Sequence, residues 1–427
     1  MTVYLPFIVL FFLLAFGVPV AISLALAGSL GIFLATSADV LVGILTASPG
    51  SALTTYELLT IPMFILMAEF MGVSGITSSL FTAIAKWTHN IRGGVGIATV
   101  ITGAAFGAIS GSSTAAAATL AKTSIPAMRE QGYSSGMSGS IAAISGTIAM
   151  LIPPSVALIF YGLLSGVSIA NLLIAGIVPG ILVATTIAVT IKVLLLRNPL
   201  PRQDVQYSLA EKFQSLKVAG PFVVLFLLVT GLIYTGIATP VESSGLGAFG
   251  AFLIALKSGN LTRYRFSEAL SNTCSITAMI GLIIVCAHIF GYFITLTGLT
   301  KEMVAWAGSL DVSPYVILAA IVVLYLVLGL FLDLISILIL TVPVVLPLVT
   351  SLGFDPLWFG VIVILLAEIG IVTPPVGINV FVVSRSANIP VEKIFSSVMV
   401  YVLSLLLLVG VLIIFPELVL WLPSTSG

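Results

Sequence analysis

Met150-Leu151-Ile152-Pro153-Pro154-Ser155 and Ile371-Val372-Thr373-Pro374-Pro375-Val376 are two double-proline breaks, 221 residues apart, each inside an apolar segment of membrane-crossing length. Proline has no N–H to donate, and its ring clashes with the preceding helical turn. At bilayer depth such a break frees amides and carbonyls that lipid cannot satisfy, so it survives only where protein buries it or where it lines an ion or substrate site. Two such breaks at equivalent places in two halves of a chain are a pointer to a secondary transporter.

Composition agrees with that reading. The 427 residues are 59% hydrophobic and 7% charged, with mean hydropathy +1.28, which predicts an all-α polytopic membrane protein. Formal charge sums to zero, so no nucleic-acid partner is expected. Cys274 and Cys286 both fall in an apolar segment and read as small core residues rather than as a disulfide or metal pair. The first apolar segment has no basic region before it and no small-residue cleavage pattern, so it is expected to be retained.

The spacing of the breaks extends into a repeat. With the same offset Pro126 falls on Pro347, Gly132 on Gly353, Gly139 on Gly360, Ile148 on Ile369 and Phe160 on Phe381, and 8 of the 35 positions from Pro126 to Phe160 are identical. Pro19-Val20 pairs with Pro240-Val241 far upstream. Aligned Pro and Gly over this distance indicate an internal repeat.

Charge supplies orientation, because cytoplasmic loops are rich in Lys and Arg. Lys86 and Arg92 precede the segment 95–110, and Lys122 and Arg129 end or follow the segment 115–125. Each arm is short for a full span. The pair therefore reads as a re-entrant hairpin entering from the cytoplasm, its tip at Ser110-Gly111-Ser112-Ser113-Thr114. The matching arms, 315–331 and 334–349, are flanked by Asp311 and Asp355 and no base, which places their entry on the opposite face and makes the repeats inverted. The linker 197–217, with Arg197, Arg202, Lys212 and Lys217, is expected in the cytoplasm. Turn pairs are expected at 4–16 with 18–34, which could also be one long tilted helix, and at 222–237 with 246–256. An interfacial amphipathic run is expected from Lys257 through Glu268. Both termini then lie on the periplasmic side.

The predicted division is scaffold helices and arm at 1–85, and transport elements with a following helix at 86–196. These hold a hairpin at 95–128 and a broken helix at 137–166. A connector at 197–217 leads to second-repeat scaffold at 218–298. Transport elements at 299–386 (hairpin 315–350, broken helix 356–386) and a C-terminal helix at 387–427 complete the chain. The fold expected is an inverted-topology repeat with two re-entrant hairpins and two broken helices, an elevator-type ion transporter architecture.

The hairpin tips and breaks hold the candidate chemistry. Ser112, Ser113 and Thr114 offer hydroxyls, and the helix beginning after them points free amides and its positive dipole end into the site. Small hydroxyl residues also serve plain helix packing, but beside a midplane break they suit an anionic carboxylate. Asp333 aligns with Ser112; an intramembrane acid is a functional candidate, although Asp is also a good helix N-cap. Thr147 aligns with Glu368, which could support a cation or pair with Arg385, and Asn379 follows the second break. Glu69 and Glu242 have no acidic repeat partner and read as structural. The substrate set is thus Ser112, Ser113, Thr114, Thr147, Asp333 and Asn379. Unwound carbonyls at half-helix ends suit sodium, giving one cation site at Ser110, Ser113, Ala149, Ile152, Pro154 and Ser155, and a second at Gly329, Gly370, Thr373 and Val376. No organic cofactor is expected.

Gly132-Tyr133-Ser134-Ser135-Gly136 and Gly136-Met137-Ser138-Gly139 match serine-hydrolase strings, but neither of the chain's two histidines is near them in sequence, and no strand-to-helix turn is expected there. Metalloprotease, Walker A and dinucleotide fingerprints are absent. An enzyme is not expected.

Taken together, Gly111-Ser112-Ser113, Ile125-Pro126-Ala127-Met128, Gly132-Tyr133, Ile152-Pro153-Pro154-Ser155, Tyr161-Gly162, Pro343-Val344-Val345-Leu346-Pro347, Gly353-Phe354-Asp355-Pro356 and Thr373-Pro374-Pro375-Val376-Gly377 resemble the large membrane (M) subunit of tripartite ATP-independent periplasmic (TRAP) transporters, over essentially the whole chain. The resemblance implies sodium-gradient-driven import by an elevator motion in the bacterial inner membrane. It also implies a small four-helix membrane subunit and a periplasmic substrate-binding protein as partners, and a small anionic solute. Carboxylates such as C4-dicarboxylates and sialic acids are the usual cargo, and the stretch 107–162 is closest to the sialic-acid type. A stand-alone anion symporter of related architecture is the alternative.

Overall fold

The offset of 221 residues holds helix by helix. In a computed structural model, which describes residues 4–197, 199–200 and 207–425, the first half runs α1 Tyr4–Ala15, α2 Val20–Ala35, α3 Ala38–Leu53, α4 Thr60–Ser74, α5 Ile76–Thr88, α6 Gly94–Ser110, α7 Ser113–Glu130, α8 Ser135–Thr147, α9 Val156–Ser165, α10 Ile169–Ala175 and α11 Ile177–Arg197. The second half runs α12 Leu209–Tyr234, α13 Pro240–Lys257, α14 Arg263–Thr297, α15 Leu299–Ser309, α16 Pro314–Gly329, α17 Leu334–Ser351, α18 Pro356–Gly370, α19 Ile378–Ala387, α20 Val391–Ile414 and α21 Glu417–Thr425. Arg202 of the expected connector lies outside the described residues.

Displaced by the offset, α7 superimposes on α17 residue for residue, both 18 residues long. In the same way α2 matches α13, α6 matches α16, α8 matches α18 and α9 matches α19. The packing is exchanged along with the elements. α6 lies on α8 as α16 lies on α18. α7 docks on α19, and α17 docks on α9. Each hairpin therefore packs on the second half of the other repeat's broken helix. Outside this body α2 packs along α14, and α13 along α4.

Local chemistry sets the helix starts. Ser112, Ser134, Ser155 and Asp355 cap α7, α8, α9 and α18 by accepting backbone N–H bonds. Thr239 and Glu242 close a capping box on α13, with Pro240 at its first position. That gives Glu242 the structural role expected of it, and Glu69 likewise accepts from the Asn272 amide at 3.4 Å. Gly132 and Gly353, paired by the repeat, both turn the chain in the left-handed region, at φ +87° and +90°.

Several expectations are refined. Gly17, at φ +76°, separates α1 from α2, so 4–34 is a turn pair and not one helix. α12 starts well before residue 222, because Ser208 and Glu211 form a second capping box. The Ser208 N–H and hydroxyl, 2.8 and 2.9 Å from the Glu211 carboxylate, hold that carboxyl below its usual value. This end of α12 docks on α5, where Trp87 Nε1 donates to the Lys212 carbonyl at 3.2 Å. The run 263–268 is exposed but is continuous with α14, a single helix of 35 residues, whereas its repeat counterpart is divided into α3, a 3-10 turn at Tyr56–Leu59 and α4. Cys286 is buried, but Cys274 faces outward. More than three turns of one helix separate them, which is too far to bridge.

Gly28 fixes the close approach of α2 to α14. A Cβ there would lie 2.9 Å from Phe290 Cα and 3.0 Å from its nitrogen, and backbone cannot yield as a side chain can. Gly28→Ala is therefore expected to destabilise the protein by about 1–3 kcal/mol. Gly43→Ala, where nothing lies within 4 Å, should be near neutral. Thermal unfolding of the two variants in detergent checks the pair; equal midpoints would refute the close contact.

Candidate functional site

The first hairpin tip is built on the first break. Gly111 ends α6 in the left-handed region, at φ +53°, and a Cβ on it would strike Val156, the first residue of α9, at 2.6 Å. One turn earlier, a Cβ on Gly107 would lie 2.1 Å from Ala149 Cα. Across the tip, Gly146 faces the Ser113 carbonyl, with 2.7 Å between that oxygen and an added Cβ. The structure thus brings Ser110 and Ser113 against the 146–156 segment that holds Ala149, Ile152, Pro154 and Ser155. Within the tip the Ser112 hydroxyl caps Ala115 N–H at 3.3 Å and meets the Thr114 hydroxyl at 3.1 Å. Ser155 donates to the Met150 carbonyl and caps Leu158, so its hydroxyl bridges the two halves of the broken helix.

The second tip follows the same plan with different side chains. Gly329 and Gly370 meet backbone to backbone, and a Cβ on Gly370 would lie 2.5 Å from Gly329 Cα. Thr373 N–H donates to the Gly370 carbonyl at 2.9 Å, and its hydroxyl to the Ile369 carbonyl at 2.7 Å. Val376 is exposed beside this break. Asp333 is exposed and serves as the N-cap of α17, accepting from Ser336 N–H at 3.3 Å and from the Ser336 hydroxyl. Pro153-Pro154 and Pro374-Pro375 are both cis.

Between the two halves lie polar groups whose bonding capacity is not used. Glu368, in the last turn of α18, is 0% exposed, and neither of its oxygens has a hydrogen-bond partner. The Ser113 side chain, on the opposite repeat, is the polar group that reaches it. Asn379 is also 0% exposed with both amide atoms unpartnered. Thr147 is buried but donates to the Ile144 carbonyl of its own helix at 2.7 Å. Arg385, weighed as a partner of Glu368, is exposed in the last turn of α19 and does not pair with it.

A cross-link that sequence reasoning missed is Tyr161. Its hydroxyl donates to the Pro356 carbonyl at 2.6 Å, tying α9 to the start of α18, and its ring fills the space that a Cβ on Gly360 would need. The coincidence of Gly139 and Gly360 in the repeat marked a close approach, but not what approaches. Ser134 and Ser138, from the hydrolase-like strings, cap α8 and donate to carbonyls of its first turn.

Four helices, α7, α9, α17 and α19, begin at the tips and breaks and turn their positive ends inward, while α6, α8, α16 and α18 end there with carbonyls. Such a centre can hold an anion at the helix starts and hard cations at the carbonyl ends. Among the described residues no three His, Cys, Asp or Glu converge as ligands for a transition metal.

Comparison with known proteins agrees with this architecture. The sequence model of the tripartite ATP-independent periplasmic transporter, DctM component, matches residues 7–418. The C4-dicarboxylate TRAP transporter large permease protein DctM of Pseudomonas aeruginosa is 31% identical over 87% of each chain. The sialic acid TRAP transporter large permease protein SiaM of Vibrio cholerae is 31% identical over 86% of each. The 2,3-diketo-L-gulonate TRAP transporter large permease protein YiaN of Escherichia coli is 30% identical over 95% of each. Among solved structures, the Alcanivorax borkumensis YdaH transporter superimposes with TM-score 0.68 over 90% of each chain at 19% identity, a likeness of fold. These relatives are named as transporter proteins, not enzymes. With six helices among the described residues long and apolar enough to cross a bilayer, the protein is a multi-pass protein of the bacterial inner membrane, and it belongs to the DctM component family of TRAP transporters.

Proposed function

We propose that this subunit imports a small carboxylate solute, driven by the sodium gradient, with sialic acid (N-acetylneuraminate) as the cargo. It would act with a small four-helix membrane subunit and a periplasmic binding protein. The observation that carries the reading is the seating of the hydroxyl-rich tip Ser110–Thr114 on the first break, repeated in glycine at Gly329 and Gly370. Sodium at the carbonyl ends would order both breaks first. Ser112 and Thr114, with Asp333 across the site, would then face the solute at the helix starts. Bound sodium offsets the burial of a carboxylate, which alone is costly in a low dielectric. The hairpins and broken helices would move as one body against α2, α4, α13 and α14 in an elevator motion. A C4-dicarboxylate is the second reading, supported by the equal identity to DctM and SiaM relatives.

Two outcomes test this. In proteoliposomes holding this chain with its two partners, uptake of labelled sialic acid should require an inward sodium gradient and stop when choline replaces sodium. Uptake unchanged in choline removes the sodium coupling, and uptake of succinate in place of sialic acid changes the cargo. Ser112→Trp and Thr373→Trp should each reduce uptake to that of protein-free vesicles while membrane insertion persists. Wild-type rates in both would refute the placement of the site.

A further inference from the structure

We propose that Glu368 is a direct ligand of the co-transported cation at the first hairpin tip, with the Asn379 amide oxygen as a second ligand from the same repeat. The proposal rests on the sodium-coupled reading above and adds a charged ligand that links the two halves of the chain.

The other acids inside the apolar body have visible occupations. Asp333 and Asp355 cap helices, Glu242 closes a capping box, and Glu69 accepts from Asn272. Glu368 has none of these. It is fully buried and both oxygens lack hydrogen-bond partners, with the Ser113 side chain as a polar neighbour. An ionised carboxylate so placed costs several kcal/mol unless a positive charge or a set of donors meets it. Among the described residues no basic side chain pairs with it, and Arg385 is exposed toward the far end of α19. The titratable side chains buried around α18 are the phenols Tyr161, Tyr325 and Tyr401. Tyr161 and Tyr325 meet α18 at Pro356, Gly360 and Phe359, more than two turns from Glu368. Tyr401 is borne on α20, whose charged groups, Glu392 and Lys393, lie in its first turn near Gly136.

Other oxygen donors lie on the segments packed around it. Asn379 N–H donates to the Ile371 carbonyl at 3.2 Å, which brings the start of α19 back against the end of α18, three residues beyond Glu368. The Asn379 amide is buried and unpartnered. From the first repeat come the Ser113 hydroxyl and the Ser113 carbonyl, which faces Gly146. A carboxylate, an amide oxygen, a hydroxyl and a carbonyl form a hard donor set that suits an alkali cation.

The repeat shows that the fold does not require these side chains. The position equivalent to Glu368 is Thr147, whose hydroxyl is satisfied on its own helix, and the position equivalent to Asn379 is Leu158, an ordinary core residue. The second repeat thus carries two polar groups that its own architecture does not use, both beside the first repeat's hairpin tip.

The test is binding of ²²Na⁺ by the purified protein in detergent, with thermal unfolding in sodium chloride against choline chloride as a second readout. Wild type should bind the ion and melt higher in sodium. Glu368→Gln should weaken sodium binding by at least about tenfold and lose the sodium-dependent rise, while its midpoint in choline is retained. Asn379→Leu, carrying the side chain of the equivalent position, should also weaken binding and serves if the first variant does not fold. Wild-type sodium affinity in either folded variant overturns that residue's assignment as a ligand, and in Glu368→Gln it overturns the proposal. A wild-type protein that neither binds nor is stabilised by sodium overturns the sodium-coupled reading itself, and this ligand with it.

Discussion

Everything in this protein follows from polar backbone placed where lipid offers no partner. Two Pro-Pro pairs interrupt α8–α9 and α18–α19, and the backbone groups freed there must be met by protein or by a bound ion. The hairpins pack closely against the breaks. Gly107, Gly111 and Gly146 allow the first tip to touch the first break, and Gly329 and Gly370 do the same in the second half. A side chain at any of these positions would hold tip and break apart, so the glycines are a condition for the breaks and not an ornament of them.

The second consequence is interlocking. Because α7 packs on α19 and α17 on α9, neither repeat completes its own centre. The bond from Tyr161 to Pro356 and the approach of Ser113 to Glu368 cross the same boundary. Each half thus packs directly against the tip elements of the other.

The parts legible in the sequence were those written in Pro, Gly and capping residues. The breaks, the inverted repeat and the hairpin arms could be read because Pro153-Pro154, Gly132 and Gly353 punctuate an otherwise uniform apolar text. Within the helices the usual signal is missing. A helix facing lipid on one side and protein on the other is apolar all round, so periodicity does not say which face is buried. For that reason the partner of Gly360 and the continuity of α14 were not legible, whereas the early start of α12 is marked in the sequence by its capping box, Ser208 with Glu211. Asp333 was equally readable as ligand or cap, and it is placed as a cap on an exposed tip. Glu368 could be flagged only as an acid opposite a threonine. That it reaches Ser113 depends on the packing of two halves distant in sequence.

The contrast between the two arms has a mechanical meaning. α14 continues for 35 residues, roughly 52 Å at 1.5 Å per residue, whereas a hydrocarbon core is about 30 Å thick. It cannot stand upright within that slab; it must lean or project from it. Its counterpart is interrupted at the 3-10 turn between α3 and α4, and α14 has no such break. One side of the molecule is therefore a continuous gauge of bilayer thickness and the other a jointed one. A thicker or thinner membrane changes the lean of the first and the bend of the second, so lipid composition acts on the two halves of a near-symmetric protein unequally.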